Sequence, residues 1–181
     1  MIIAFCQRPF SLIIAFLVMI ACIIAFQYLA TQLGADILDI LNNYDRGMVE
    51  QKMLAYGEVG RLLYARSTLT LDLLYPLAYG VFFIGILARL TQHTQFRPLI
   101  YLPIFVVGLD VLENVQIYAM LVSFPELTDR QIMLASLSTQ AKWLLVRAMM
   151  LVLLLLASLA LLRKLALLRK LVDMFKKWRK N

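Results

Sequence analysis

The chain has 181 residues, 62% of them hydrophobic and 16% charged, and its mean hydropathy is +0.81. A soluble domain of this size carries about a quarter charged residues, so one water-soluble globule is excluded in favour of apolar blocks of membrane-spanning length. The net charge of +7 does not point to nucleic acid, because the surplus Lys and Arg sit beside the end of an apolar block, where they act as a topology signal.

The first block, 10–30 (FSLIIAFLVMIACIIAFQYLA), has no charge. It is longer than the apolar core of a cleaved leader and is followed by no small-x-small site, so it is expected to be a retained first transmembrane helix. Cys6 and Cys22 are sixteen positions apart with no CxxC. They read as small apolar fillers rather than a redox pair or zinc ligands.

Segment 31–70 is polar, with five acids against four basic residues and no proline. Ile37, Leu38, Ile40, Leu41 and Tyr44 fall at helical spacing, as do Met53, Leu54, Tyr56, Leu62 and Leu63, which predicts two short amphipathic helices capping the outer end. In YGEVGRLLY (56–64), Gly57 and Gly60 each cost about 1 kcal/mol relative to alanine within a helix, so close packing is expected there. Glu58 and Arg61 are spaced to pair. A second reading makes the segment a lid over an outward-facing cavity, with Arg61 on its underside.

The second span is 71–90. Asp72 stands at its start, and Tyr75 and Tyr79 follow on the same face. Pro76 lacks an N–H and frees a backbone carbonyl in that turn. The third span, 99–122, contains FVVGLDVLENVQIY, in which Asp110, Glu113 and Asn114 share one helix face. An ionised group at such depth costs about 3 kcal/mol on insertion scales. The fourth span, 141–162, carries Lys142 and Arg147 near its start and is apolar thereafter. A tail, 163–181, follows; ALLRKL occurs at 160–165 and again at 166–171. The tail is expected to form a basic interfacial helix, with Phe175 and Trp178 dipping among the headgroups.

The expected fold is therefore an all-α integral membrane protein, one domain over 1–181, built as a four-transmembrane-helix bundle. Arg8, Arg89, Arg97 and the tail fall on one side if the spans alternate, so both termini are expected in the cytoplasm of a plasma membrane, in particular a bacterial inner membrane.

Three spans place their polar residues in the outer half, and buried charges face the bundle interior and pair. Asp72, Tyr75, Tyr79, Asp110, Glu113, Asn114, Lys142 and Arg147 are thus expected to line an outward-opening pocket, with Arg61 above it. Glu113 is the expected proton-transfer group and Asp110 its charged partner. Lys142 or Arg147 would hold an anionic headgroup or carboxylate, in a site for a lipid-like or small amphipathic ligand. A hard cation suits the oxygen donors but not the two basic residues beside them. His93 is the sole histidine, so no His-based haem or metal centre is expected, and no cofactor is implied. No phosphate loop, HExxH or GxSxG motif occurs. Two other readings fit the same residues: a proton- or ion-coupled transporter or channel subunit, homo-oligomeric if it forms a pore, and a structural subunit whose charges meet a membrane partner protein.

Overall fold

The computed structural model describes the backbone of residues 1–92 and 94–178, and all of their side chains except those of 171–173 and 175–178. Six α-helices occur among the described residues: α1 (Ile2–Cys6), α2 (Pro9–Leu33), α3 (Arg46–Thr68), α4 (Leu71–Thr91), α5 (Leu102–Ser123) and α6 (Asp129–Trp178). No strand occurs among the described residues, and two short 3₁₀ turns cover Leu38–Ile40 and Arg97–Tyr101.

Four helical stretches are long and apolar enough to cross a membrane; they lie in Pro9–Leu33, Arg46–Thr91, Arg97–Ser123 and Asp129–Lys170. Most of their surface is outside the core. Ile13, Leu17 and Ile24 on α2 and Leu144, Leu151 and Leu154 on α6 are all exposed, so apolar side chains cover the outside as well as fill the inside.

In the bundle α4 packs on α2 and α5, α5 packs on α6, and α3 lies against α5 at one end. That capped end is filled by Leu38, Val49, Met53, Tyr64, Ile117 and Met120, all fully buried. At the other end Leu87, Ala88, Ile100 and Leu156 form a smaller core. There α1 is drawn tightly onto α4, because a Cβ at Gly85 would collide with the Cys6 carbonyl. Arg89 Nε donates to the Gln7 carbonyl at 2.9 Å. Arg8, Arg89 and Arg97 therefore gather at this end, called basic below.

Segment 31–70 differs from expectation. The first apolar stripe is not a helix but an extended connection around the single turn at Leu38–Ile40. Its backbone is held by distant side chains instead: Leu38 N donates to the Tyr64 hydroxyl at 3.0 Å and Tyr44 N to Ser136 Oγ at 3.1 Å. Those bonds take the place of a helical ladder. The second stripe is helical, as α3, opened by an Asp45 cap that accepts from Met48 N at 2.8 Å. Its buried face is Val49, Met53, Tyr56, Gly60 and Tyr64, whereas Leu54, Leu62 and Leu63 are exposed.

The two glycines do different things. A Cβ at Gly60 would lie 3.2 Å from Leu33 Cδ2, which is a close packing contact. Gly57 has open space around it but φ of 64° and ψ of −179°, a conformation open to glycine and strained for other residues. Residues 163–178 of the tail continue α6, whose 50 residues extend about 75 Å at 1.5 Å per residue. The expectations for Phe175, Trp178 and His93 fall outside the described side chains and residues.

Candidate functional site

The site grows from a defect in α4. Pro76 cannot donate to the carbonyl four residues back, which is that of Asp72. Asn114, on α5, supplies the missing hydrogen with its side-chain amide. One turn further along α4 the Tyr79 hydroxyl donates to Asp110 Oδ2 at 2.8 Å. Two polar bonds thus register α4 against α5, and both use residues that carry the polar face of α5.

The third element is α6. Lys142 Nζ forms an ion pair with Glu113, lies 3.7 Å from Asp110 Oδ1, and donates to the Asp39 carbonyl at 3.2 Å. Thr139, one turn earlier, donates to Glu113 Oε1 and sits 3.3 Å from the Tyr44 hydroxyl. Glu113 is 0% exposed, Asp72 3%, Lys142 6% and Asp110 8%. At such burial each ion must be compensated by protein groups rather than by water. Snorkelling by Lys142 is replaced by pairing.

The fourth element is the 36–45 connection. Besides Lys142, Trp143 Nε1 donates to the Asp39 carbonyl at 3.2 Å, and the Tyr64 hydroxyl reaches Asp39 Oδ1 at 3.4 Å. Burial pushes the Asp39 carboxyl above the usual carboxylate range, an effect that the Lys142 charge opposes and the nearby Asp110 reinforces. Burial likewise raises the Tyr44 phenol above its ordinary value.

Between these elements lies a cavity of about 640 Å³. Both α2 and α6 pack on α4 but hardly on each other, and the cavity occupies the gap. Asp36, Asp39, Asp72, Asp110, Lys142 and Trp143 line its part nearer the capped end. Deeper in, its walls are Met19, Ile23, Phe83, Val146, Met149 and Met150. An aromatic run joins the two zones: Phe26 meets Tyr75 edge-on at 5.8 Å, Tyr75 meets Tyr79 at 5.4 Å, and Phe83 follows at 6.3 Å.

Of the residues anticipated from sequence, Asp72, Tyr75, Tyr79, Asp110 and Lys142 share this cavity. Glu113 and Asn114 join the same polar network but are not on the cavity wall. Lys142, on the cavity wall, is ion-paired with Glu113 behind it. Arg147 is exposed, donates to Asn42 Oδ1 and lies off the cavity. Arg61 is further away: it donates to the Met53 carbonyl at 2.9 Å and stacks over Phe124 at 4.7 Å, so it neither roofs the cavity nor pairs with Glu58. The roof is the 36–40 turn instead.

Asp39, Tyr44, Tyr64, Thr139 and Trp143 were not foreseen as site residues. A signal existed for Asp39, which stands between Leu38 and Ile40 much as Asp110 stands among apolar neighbours. None existed for the others, whose roles come from hydrogen bonds across 25 to 104 positions of sequence. Among the described residues no cluster of His, Cys, Asp and Glu has the geometry to hold a metal ion. No protein-family model matches the chain, and no curated protein or solved structure is significantly similar to it.

Proposed function

We propose that the chain is a multi-pass membrane protein that holds a small amphipathic molecule, lipid-like in build, in the cavity between α2, α4 and α6. The observation that carries this reading is the cavity's division into a polar end and an apolar body. At about 640 Å³ it falls within the roughly 300–1,000 Å³ of small-molecule sites.

In this reading α2, α4, α5 and the first part of α6 cross the bilayer, with exposed leucine and isoleucine facing lipid tails. The basic end faces the cytoplasm by the distribution of Lys and Arg, and the capped end faces outward. The ligand enters from the outer leaflet through the gap between α2 and α6. Its tail lies against Met149, Phe83 and Met19, and its head reaches the carboxylates under the 36–40 turn. The basic continuation of α6 rests near anionic headgroups on the cytoplasmic side. Binding accounts for these features better than transport, because Leu87, Ala88, Ile100 and Leu156 close the basic end with an apolar core.

Native mass spectrometry of the protein released from mild detergent tests the reading. A retained single-copy adduct is expected on the parent chain and is lost in Ala30→Trp, which fills the cavity from α2. The same adduct on both proteins, or on neither, overturns it. Orientation has its own check: a cysteine placed at Glu126 reacts with a membrane-impermeant thiol reagent on intact cells, and one at Arg163 does not.

A further inference from the structure

Resting on the reading that the cavity holds an amphipathic molecule, we propose that it selects one with a cationic amine head, seated between Asp39 and Asp72. The residue types foreseen from sequence suggested the opposite polarity, with Lys142 or Arg147 holding an anion. Geometry removes both cations from that role. Arg147 is off the cavity, and Lys142 has three N–H bonds that already face three acceptors: Glu113, Asp110 and the Asp39 carbonyl.

With those accounted for, the cavity carries a surplus of acid. Four carboxyl groups line it, from Asp36, Asp39, Asp72 and Asp110, against the one cation Lys142 among the described residues. Asp36 lies at the exposed margin and has Lys52 at 3.9 Å. Asp110 shares Lys142 and accepts from Tyr79. Neither Asp39 nor Asp72 has a basic side chain within ion-pair distance. Asp72 is the more telling of the two: it is 3% exposed, its Oδ2 is buried with no hydrogen-bond partner, and Asn114 satisfies only its backbone carbonyl. A buried carboxyl on a cavity wall with an oxygen that has no partner is a place for a donor, and a charged donor binds such a group about twice as strongly as a neutral one.

The surrounding rings fit the same head. Tyr75, Phe26 and Trp143 stand beside the two carboxyls on the cavity wall, and aromatic faces attract a desolvated ammonium. A hydroxyl head brings no charge to pair with the two carboxyls, and a carboxylate head would add to the acid already there. The apolar body of the cavity then takes the alkyl portion.

Three probes of equal chain length separate these classes: octylamine (a cation near neutral pH), octanol and octanoate. Each is titrated into the full chain in nanodiscs of zwitterionic lipid, with Trp143 fluorescence read in a Trp178→Phe background. Octylamine is expected to bind saturably and at least about tenfold more tightly than octanol, with octanoate weakest, the order set by one extra charge-assisted contact. Asp72→Asn and Asp39→Asn each remove most of that preference, octylamine losing more affinity than octanol. Glu126→Gln, which deletes an exposed acid elsewhere, leaves the preference intact. Equal binding of octylamine and octanol, or tightest binding of octanoate, overturns the amine class while the amphipathic site stands. No saturable binding by any probe removes both. The ranking requires no change at Asp39 or Asp72, so a poorly folding Asp72→Asn leaves the outcome decided.

Discussion

The two ends of the bundle are held in contrasting ways. At the basic end the buried core is Leu87, Ala88, Ile100 and Leu156, and a fully buried polar group there, the Thr91 hydroxyl, is satisfied within its own helix by the Leu87 carbonyl at 2.7 Å. Each side chain there contributes through its own contacts. At the capped end, Glu113, Lys142, Asp110, Tyr79, Thr139 and Asp39 are bonded to one another, and Asn114 to the Asp72 carbonyl, across four separate elements. Losing one member there leaves others buried and unpaired, which costs more than the lost bond itself. One end is a sum of packing terms and the other a network. That is the arrangement expected when one end only has to close and the other has to hold polar groups ready inside an apolar body.

The sharpest way to break the contrast is Lys142→Met, which strands Glu113 as a buried acid with no cation. A loss of about 3–5 kcal/mol is expected, read from chemical unfolding followed by helical circular dichroism in detergent. Adding Glu113→Gln to that variant restores most of the loss, because the stranded group is then neutral. If the double variant is no more stable than the single, the pair is not what holds α5 to α6. At the opposite end Leu87→Ala costs about 2–5 kcal/mol from lost transfer energy and cavity formation. Combined with Lys142→Met it adds to within about 0.5 kcal/mol, as independent sites do.

Asn114→Ala is expected to cost about 1–3 kcal/mol, the penalty for leaving the Asp72 carbonyl buried and unpaired. Pro76→Ala supplies the N–H that this carbonyl lacks, so in that background the same Asn114→Ala change costs less than half as much. Equal losses in both backgrounds would mean that Asn114 acts through something other than the proline gap. Gly57→Ala, with nothing near its missing Cβ, costs about 1–2 kcal/mol through backbone conformation alone, measurable as a lowered melting temperature.

The smallest effect is on pH dependence. Because burial raises the Asp39 carboxyl above its unfolded value, the folded chain binds a proton that the unfolded chain has released. Stability therefore declines as pH rises upward from the ordinary carboxylate range. Asp39→Asn flattens that decline, seen as a denaturation midpoint that changes less with pH than in the parent; an unchanged slope would place the titrating group elsewhere.

Hydropathy carried far in some elements and failed in others for identifiable reasons. The block 10–30 became α2 and the block 71–90 became α4, because about 20 uninterrupted apolar residues satisfy their backbone best as a helix. On α5, a three- and four-residue spacing placed Asp110, Glu113 and Asn114 on one face, as helix geometry requires. The 37–44 stripe misled. Its apolar residues are buried, but Tyr64 and Ser136 offer its backbone a partner that no local pattern reveals. Of the two readings of segment 31–70, the lid with Arg61 on its underside does not form, because the position of Arg61 depends on how α3 turns about Gly57, a tertiary matter.

Length, charge distribution and helical period are local properties, and they sufficed to set how many membrane-length helices there are among the described residues, where α4 begins, and which residues share a face, though not where α6 begins, at Asp129 rather than near 141. Whether Lys142 reaches the surface or an acid, whether Asn114 serves a ligand or the Asp72 carbonyl, and whether the cavity favours an anion or a cation depended on the distance between side chains on different helices. Electrostatic pairing falls off steeply over a few ångströms once the charges are out of water. Which side chains the cavity presents together was therefore set by packing of the helices, not by the order of residues along any one of them.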